Sequence, residues 1–294
     1  MTHLWAIVLG VVQGISEFLP ISSTAHLKLI PWMFGVRDPM LSSTAFDIAL
    51  HAGSFIAILI ALWRDWVDLV MGALGRPPSG AGDDVMARPG FARKFIGFLL
   101  LTSIPAALIG VAFDKKLEMF STPDIAGAAA TGIDAQTFHF APLLLGVTMI
   151  VFGVVLWAAD HYVKRKEPLE QMNWLKALLI GFAQALALIP GVSRSGATMT
   201  MGRLVGIKRE DVARYSFMAA LPVIGGAAVF GLGHEPIGTL LSVDWVLGFT
   251  ASAITSVLVM RWMLGYVRNH SFALFMWYRI AFGLLVIALF FARG

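Results

Sequence analysis

The sequence predicts an all-α polytopic membrane protein, built as an inverted repeat in which each half is one re-entrant helical hairpin plus three transmembrane helices. Three observations predict it. The chain of 294 residues is 58% hydrophobic and only 14% charged, with a mean hydropathy of +0.78, whereas about a quarter of a soluble domain is charged. Four stretches, Phe95–Phe113, Ala141–Ala159, Tyr215–Gly233 and Trp245–Met260, contain no Asp, Glu, Lys or Arg, and about 17–25 apolar residues cross a bilayer. Two polar, Pro-containing segments interrupt this apolar chain at a fixed offset.

The chain has no cysteine, which excludes disulfides, thiol catalysis and cysteine-ligated metals. The net charge of +4 is confined to a few connections, and no basic, aromatic-interleaved surface points to nucleic acid. No cleavable signal peptide is read at the N-terminus, so the first helix is expected to direct insertion itself.

Lys and Arg are retained on the cytoplasmic side. The Arg64–Lys94 connection, with Arg64, Arg76, Arg88, Arg93 and Lys94, reads as a cytoplasmic loop whose Pro78–Gly82 stretch is a flexible linker. Asp114–Phe140 sets Lys115 and Lys116 against Asp114, Glu118, Asp124 and Asp134 and reads as external. Asp160–Lys176 and Arg203–Arg214 are both basic. The apolar Ala177–Val192 between them must enter and return on one side, as a re-entrant hairpin with its tip near Pro190–Ala197. Tyr215–Gly233 then runs outward, Trp245–Met260 returns and Ser271–Phe291 goes out again. The helix Phe46–Trp63 ends at cytoplasmic Arg64, so Leu4–Pro31 must be a second hairpin, entered from outside. Irregular backbone at membrane depth is tolerated only beside protein or a water-filled cavity, so both tips should line one.

Gly10-Val-Val-Gln13 is echoed 171 positions later by Gly181-Phe-Ala-Gln184. At the same offset Ser22, Ser23 and Thr24 meet Ser193, Arg194 and Ser195, and Pro20 meets Pro190 with a one-residue slip. The chain is expected to form one membrane domain over residues 1–294, with repeats of about 1–160 and 174–294. Inverted repeats with broken helices place their site where the repeats meet.

Ionisable groups inside membrane segments are costly and mark function. Here they are Glu17, His26, Asp47, His51, Arg194 and Arg279. Gln13 and Glu17 share a helix face at i, i+4, able to hold a divalent cation or a water, or to form a packing stripe. Pro20 ends the helix. In Ser22-Ser23-Thr24-Ala25-His26, Ser22 and Thr24 are read first as N-caps and Ser23 as a nucleophile activated by a nearby base. Gly191-Val-Ser193-Arg194-Ser195-Gly196 combines flexible backbone, two hydroxyls and a guanidinium, an anion site by its residue types; pairing of Arg194 with Glu17 is the structural alternative. Asp47 and His51, again i, i+4, are read as supporting groups at the same cavity, and Arg279 as an ion-pair partner for one of the acids. The set suits phosphoryl transfer, in which positioning and charge neutralisation dominate.

QGISEFLPISSTAH (Gln13–His26) and PGVSRSGAT (Pro190–Thr198) resemble the two signature regions of bacterial undecaprenyl-diphosphate phosphatases, the bacitracin-resistance family. FDIALHAGS (Phe46–Ser54), the spacing and the length also fit, so the resemblance covers essentially the whole chain. It implies a metal-dependent hydrolase of the cytoplasmic (inner) membrane, multi-pass, with its site opening to the outer side. Such an enzyme converts undecaprenyl diphosphate to the monophosphate, recycling the lipid carrier of cell-wall synthesis and conferring bacitracin resistance. It further implies Glu17 as the family's acid, Ser23 as candidate nucleophile, His26 as general acid/base and Arg194 as phosphate binder, with Ser22, Thr24, Ser193 and Ser195 as further phosphate contacts. Gln13 stands where many members carry a first glutamate, and Ala25 where glycine is common. The expected cofactor is Mg2+ or Ca2+, held by Glu17 with Gln13. Expected partners are the polyprenyl diphosphate and membrane lipids, with a homodimer as one assembly to test. His26 as the attacking group stays open, as does a secondary transporter or flippase on the same architecture. A scaffold role would leave the intramembrane charges unexplained. Cysteines introduced at Asp124 and Glu235 should be labelled by an impermeant reagent from outside and one at Arg88 should not; labelling of the Arg88 cysteine would overturn the orientation.

Overall fold

The computed structural model describes residues 2–76, 85–121, 141–232 and 242–293. Among them are eleven α-helices, three short 3-10 turns and no strand. Five helices are long and apolar enough to cross a membrane: α3 (Thr44–Ala61), α5 (Pro89–Ser121, over Pro89–Ala112), α6 (Ala141–Tyr162), α10 (Val243–Asn269) and α11 (Ala273–Arg293). Of the expected span Tyr215–Gly233, residues 215–232 lie in α9 (Arg209–Leu232), one continuous helix, and Gly233 lies outside the described residues. The chain is thus a multi-pass, all-helical membrane protein.

Four helices too short to span flank the two polar breaks. α1 (Thr2–Ser16) and α2 (Ser23–Phe34) flank one polar break, and α7 (Trp174–Ala185) and α8 (Arg194–Leu204) flank the other. At 1.5 Å rise per residue even the 15 residues of α1 reach only about 22 Å, short of the ~30 Å hydrocarbon core. Both breaks fall where the prolines and hydroxyl clusters put them.

Two connections differ from the sequence expectation. Arg64–Lys94 is not all loop: α4 (Trp63–Ala73) fills its start and α5 begins at Pro89. Trp63, Val67, Val70 and Leu74 form an exposed apolar stripe on α4 while Leu69 and Gly72 face inward, the two-sided pattern of a helix lying at an interface. The expected linker Pro78–Gly82 lies outside the described residues. The helix that was to end at Phe113 continues to Ser121, and the rest of the expected external loop, 122–140, is outside the description.

Packing is interleaved between the halves of the sequence. α1 packs on α10 and α7 on α5; α3 also packs on α10 and α9 on α5; α2 meets α11 and α8 meets α6. Close helix approaches require glycine, among them those at the two repeated positions Gly10 and Gly181. A Cβ on Gly10 would stand 2.6 Å from the Gly248 carbonyl oxygen, and one on Gly181 would stand 2.8 Å from that of Thr102. Small residues let helix backbones meet where lipid gives no hydrophobic drive for association. Beside Gly10, Ser54 bonds Ser252 and Ser256 at 3.2 and 3.3 Å, and Ser252 donates to the Leu50 carbonyl at 2.7 Å. Gly10→Val is expected to lower the melting temperature of the detergent-purified protein by several degrees, since overpacking costs about 1–3 kcal/mol. Gly265→Ala, at a helical glycine with open space around its Cβ position, should leave it unchanged or raise it.

Candidate active site

Glu17 follows the last turn of α1, its N–H still donating to the Gln13 carbonyl at 2.9 Å. The chain then turns through Pro20 to Ser22, which caps α2: φ is 77° and its hydroxyl accepts from the Ala25 N–H at 3.4 Å. The second break is built alike. Gly191 has φ 92°, and Ser193 has φ 75° and caps α8, its hydroxyl accepting from the Gly196 N–H at 3.1 Å. Ser22 and Ser193 are the non-glycine residues with positive φ among the described residues. Such strain persists where the surroundings enforce it, often at functional sites. Each cap leaves a helix start with its dipole and first N–H groups toward the break, the arrangement that binds anions.

Arg279 of α11 binds the two breaks together. Fully buried, it donates to the carbonyls of Pro20 (3.1 Å), Val192 (3.2 Å), Gly191 (2.8 Å) and Met149 (2.7 Å). The expected ion pair with an acid is therefore corrected: the guanidinium serves the Pro20, Gly191 and Val192 carbonyls that the helix breaks leave without intrahelical donors, and also the Met149 carbonyl within α6. Ser195, buried, donates to the Leu19 carbonyl at 3.0 Å and so latches the hairpins, and Thr148 of α6 donates to the Pro190 carbonyl at 3.0 Å.

At this junction stands Glu17, 6% exposed. Its Oε2 accepts from the Ser23 hydroxyl at 2.6 Å and from Gln13 Nε2 at 3.2 Å; its Oε1 accepts from Arg194 Nη2 at 3.2 Å. Arg194 Nη1 donates to the Ser216 carbonyl at 3.2 Å. One carboxylate thus joins both hairpins, with a hydroxyl on one side and a guanidinium on the other. The base beside Ser23 is Glu17, which corrects the Ser23–His26 pair. His26 is committed elsewhere: Nδ1 donates to the Ser22 carbonyl at 2.7 Å, Nε2 lies 2.7 Å from the Tyr278 hydroxyl, and the ring stacks on Phe282 at 4.6 Å.

The remaining candidates divide. Ser22 and Ser193 spend their hydroxyls on caps, Ser193 also lying 3.1 Å from Ser195. With Ser195 they position the helix starts rather than present free hydroxyls. Thr24 is exposed on the first turn of α2. His51 lies within electrostatic reach of Glu17, and Asp47, exposed one turn earlier on α3, lies within reach of His51 and Lys28. Sequence reading missed Tyr278, Ser216 and Lys28; Tyr278 and Ser216 sit in apolar helices with no local motif to mark them.

The donor set bears on a cation. Gln13 Oε1 is buried beside Glu17 without a hydrogen-bond partner, and magnesium is commonly held by one or two carboxylates plus substrate phosphates. That fits a cation shared with substrate. A cage made by protein alone does not fit, because no group of three or more His, Cys, Asp or Glu able to hold a metal occurs among the described residues.

Arg279→Met is expected to destabilise the fold and abolish function, as each orphaned buried carbonyl costs about 1–3 kcal/mol. Arg279→Lys should rescue little, one ammonium being unable to serve four carbonyls; full rescue by lysine would refute this role.

Comparison with known proteins gives one family. The family described as Bacitracin resistance protein BacA matches residues 6–285. An undecaprenyl-diphosphatase of Moorella thermoacetica is 40% identical over 293 residues, covering 100% of both chains. One of Pelotomaculum thermopropionicum is 38% identical, covering 100% of this chain and 98% of the relative. One of Caldicellulosiruptor bescii is 36% identical, covering 100% of both.

Proposed function

The chain belongs to the bacitracin resistance protein BacA family, and from that premise we propose that it hydrolyses undecaprenyl diphosphate to undecaprenyl phosphate and phosphate at the junction of the two hairpins. The reaction recycles the lipid carrier of cell-wall synthesis and confers bacitracin resistance. The observation that carries the site assignment is the Ser23–Glu17–Arg194 array, 2.6 Å and 3.2 Å across one carboxylate. A carrier has no need of a hydroxyl held on a carboxylate, and the family disfavours the transporter alternative.

In this reading the terminal phosphate sits between Arg194 and the starts of α2 and α8. The Ser23 oxygen attacks its phosphorus and its proton passes to Glu17. The bridging P–O bond breaks, its electron pair leaves on the bridging oxygen, and Glu17 returns the proton there to release undecaprenyl phosphate. Water then attacks the phosphoserine as Glu17 accepts its proton. The Ser23 oxygen departs, regains that proton, and phosphate is freed. General base catalysis of this kind contributes about 10²–10⁴-fold, and charge stabilisation by arginine acts on the equatorial oxygens. His26, fixed between Ser22 and Tyr278, holds the start of α2 and lines the site.

A divalent cation, Mg2+ or Ca2+, would be held by Glu17 and the free oxygen of Gln13 and would supply charge neutralisation of the diphosphate. The two halves are read as inverted repeats: Ser22 and Ser193, 171 residues apart, share one unusual backbone conformation, and the glycines at that offset share a close helix contact. The basic connections support an orientation in the inner membrane with the site opening outward, where the diphosphate is released. A homodimer is compatible with the apolar exposed surfaces.

Purified protein in detergent should release phosphate from undecaprenyl diphosphate, with EDTA lowering the rate. Ser23→Ala and Glu17→Gln should each reduce kcat by about 10²-fold or more, with folding checked by melting temperature. Turnover that survives both substitutions would overturn the site assignment; no turnover of any prenyl diphosphate would overturn the activity.

A further inference from the structure

One charged group near the site has no place in the chemistry above. Lys28 lies on α2, one turn past Thr24 and on the same face. Helical side chains lean toward the N-terminus of their helix, so Lys28 leans toward Thr24 in the first turn of α2. Its side chain is half-buried, yet its ammonium nitrogen is buried and has no hydrogen-bond partner among the described residues. Asp47 is within electrostatic reach without bonding it. Charged and titratable groups therefore follow one another from Lys28 through Asp47 and His51 to Glu17 and Arg194.

A lysine ammonium has three donors and no acceptor, and leaving all three unmet inside a membrane protein is costly. Such a group persists where an acceptor arrives. In the proposed reaction Arg194 and Ser23 meet the terminal phosphate, and Lys28 lies one turn of α2, about 5 Å along the helix, beyond Thr24, the neighbour of Ser23. The acceptor at that displacement is the next phosphate of the same substrate.

We propose that Lys28 is the handle for the phosphate that stays on the lipid, and so makes the site select a diphosphate over a monophosphate. This rests on the reading of the site as a prenyl-diphosphate phosphatase. As the bridging bond breaks, the departing monophosphate gains charge, and the ammonium faces that charge. Asp47 lies within electrostatic reach of the lysine without occupying its donors.

The test measures binding of two non-hydrolysable probes, a methylene-bridged prenyl diphosphonate and the matching prenyl monophosphonate, to wild type, Lys28→Met and Lys28→Arg. Lys28→Met should weaken the diphosphonate about tenfold, the worth of a charge-assisted hydrogen bond, and leave the monophosphonate nearly unchanged. Lys28→Arg should keep most of the preference. Equal weakening of both probes, as a structural lysine would give, or no weakening of either, overturns the proposal. The readout needs no turnover, so it fails separately from the mechanism: Ser23→Ala protein that still releases phosphate would sink the mechanism, while the ratio of probe affinities judges Lys28.

Discussion

A helix broken inside a bilayer exposes carbonyls that no water reaches, and everything at this site depends on how they are satisfied. Each uncompensated backbone group at that depth costs several kcal/mol. Arg279 resolves the problem at both breaks at once. Its guanidinium gathers carbonyls from Pro20 on one hairpin, Gly191 and Val192 on the other, and Met149 on α6. The planar fork of arginine, with five donors in fixed directions, suits this role as lysine does not. Once the breaks are held against each other, the starts of α2 and α8 are held too, and with them Ser23 and Arg194.

The functional arrangement follows from that closure. Glu17 is buried, and a buried carboxylate is tolerated because Arg194 from the opposite hairpin, Ser23 and Gln13 all donate to it. A buried ion pair is weak evidence for stability, since desolvation can exceed the Coulombic gain. Its presence at the meeting point of two strained caps is better understood as function. In the proposed reaction, a substrate phosphate that drew Arg194 away would leave Glu17 bonded to the Ser23 hydroxyl and free to take its proton.

Much of this was legible in the sequence, and the rest was not for identifiable reasons. The breaks were legible because Pro20, Pro190 and the serine clusters interrupt apolar runs. The two halves of the site were legible because Glu17 and Arg194 are charges where charge is expensive. The partner of Arg279 was not, because it is backbone carbonyl, which every residue carries and no motif marks. The partner of Ser23 was misread because sequence proximity favoured His26, three residues on, while the folded chain brings Glu17, six residues back, across the break to 2.6 Å. Tyr278 was passed over because no local motif marks a tyrosine in an apolar helix, and Lys28, although a charge inside the expected Leu4–Pro31 hairpin, because it lies just past the end of the Gln13–His26 motif. α4 hid inside a charged connection because its apolar residues recur at helical spacing between Arg64, Asp65 and Asp68.

The central claim is that residues on two separate hairpins act as one catalytic unit. A double-mutant cycle on the rate of phosphate release tests it most directly, with Ser23→Ala on one hairpin and Arg194→Lys on the other. Groups that act together are strongly non-additive, so the double variant should be about as slow as the slower single one. Rates in which the two losses multiply would show independent contributions and contradict a single site at the hairpin junction.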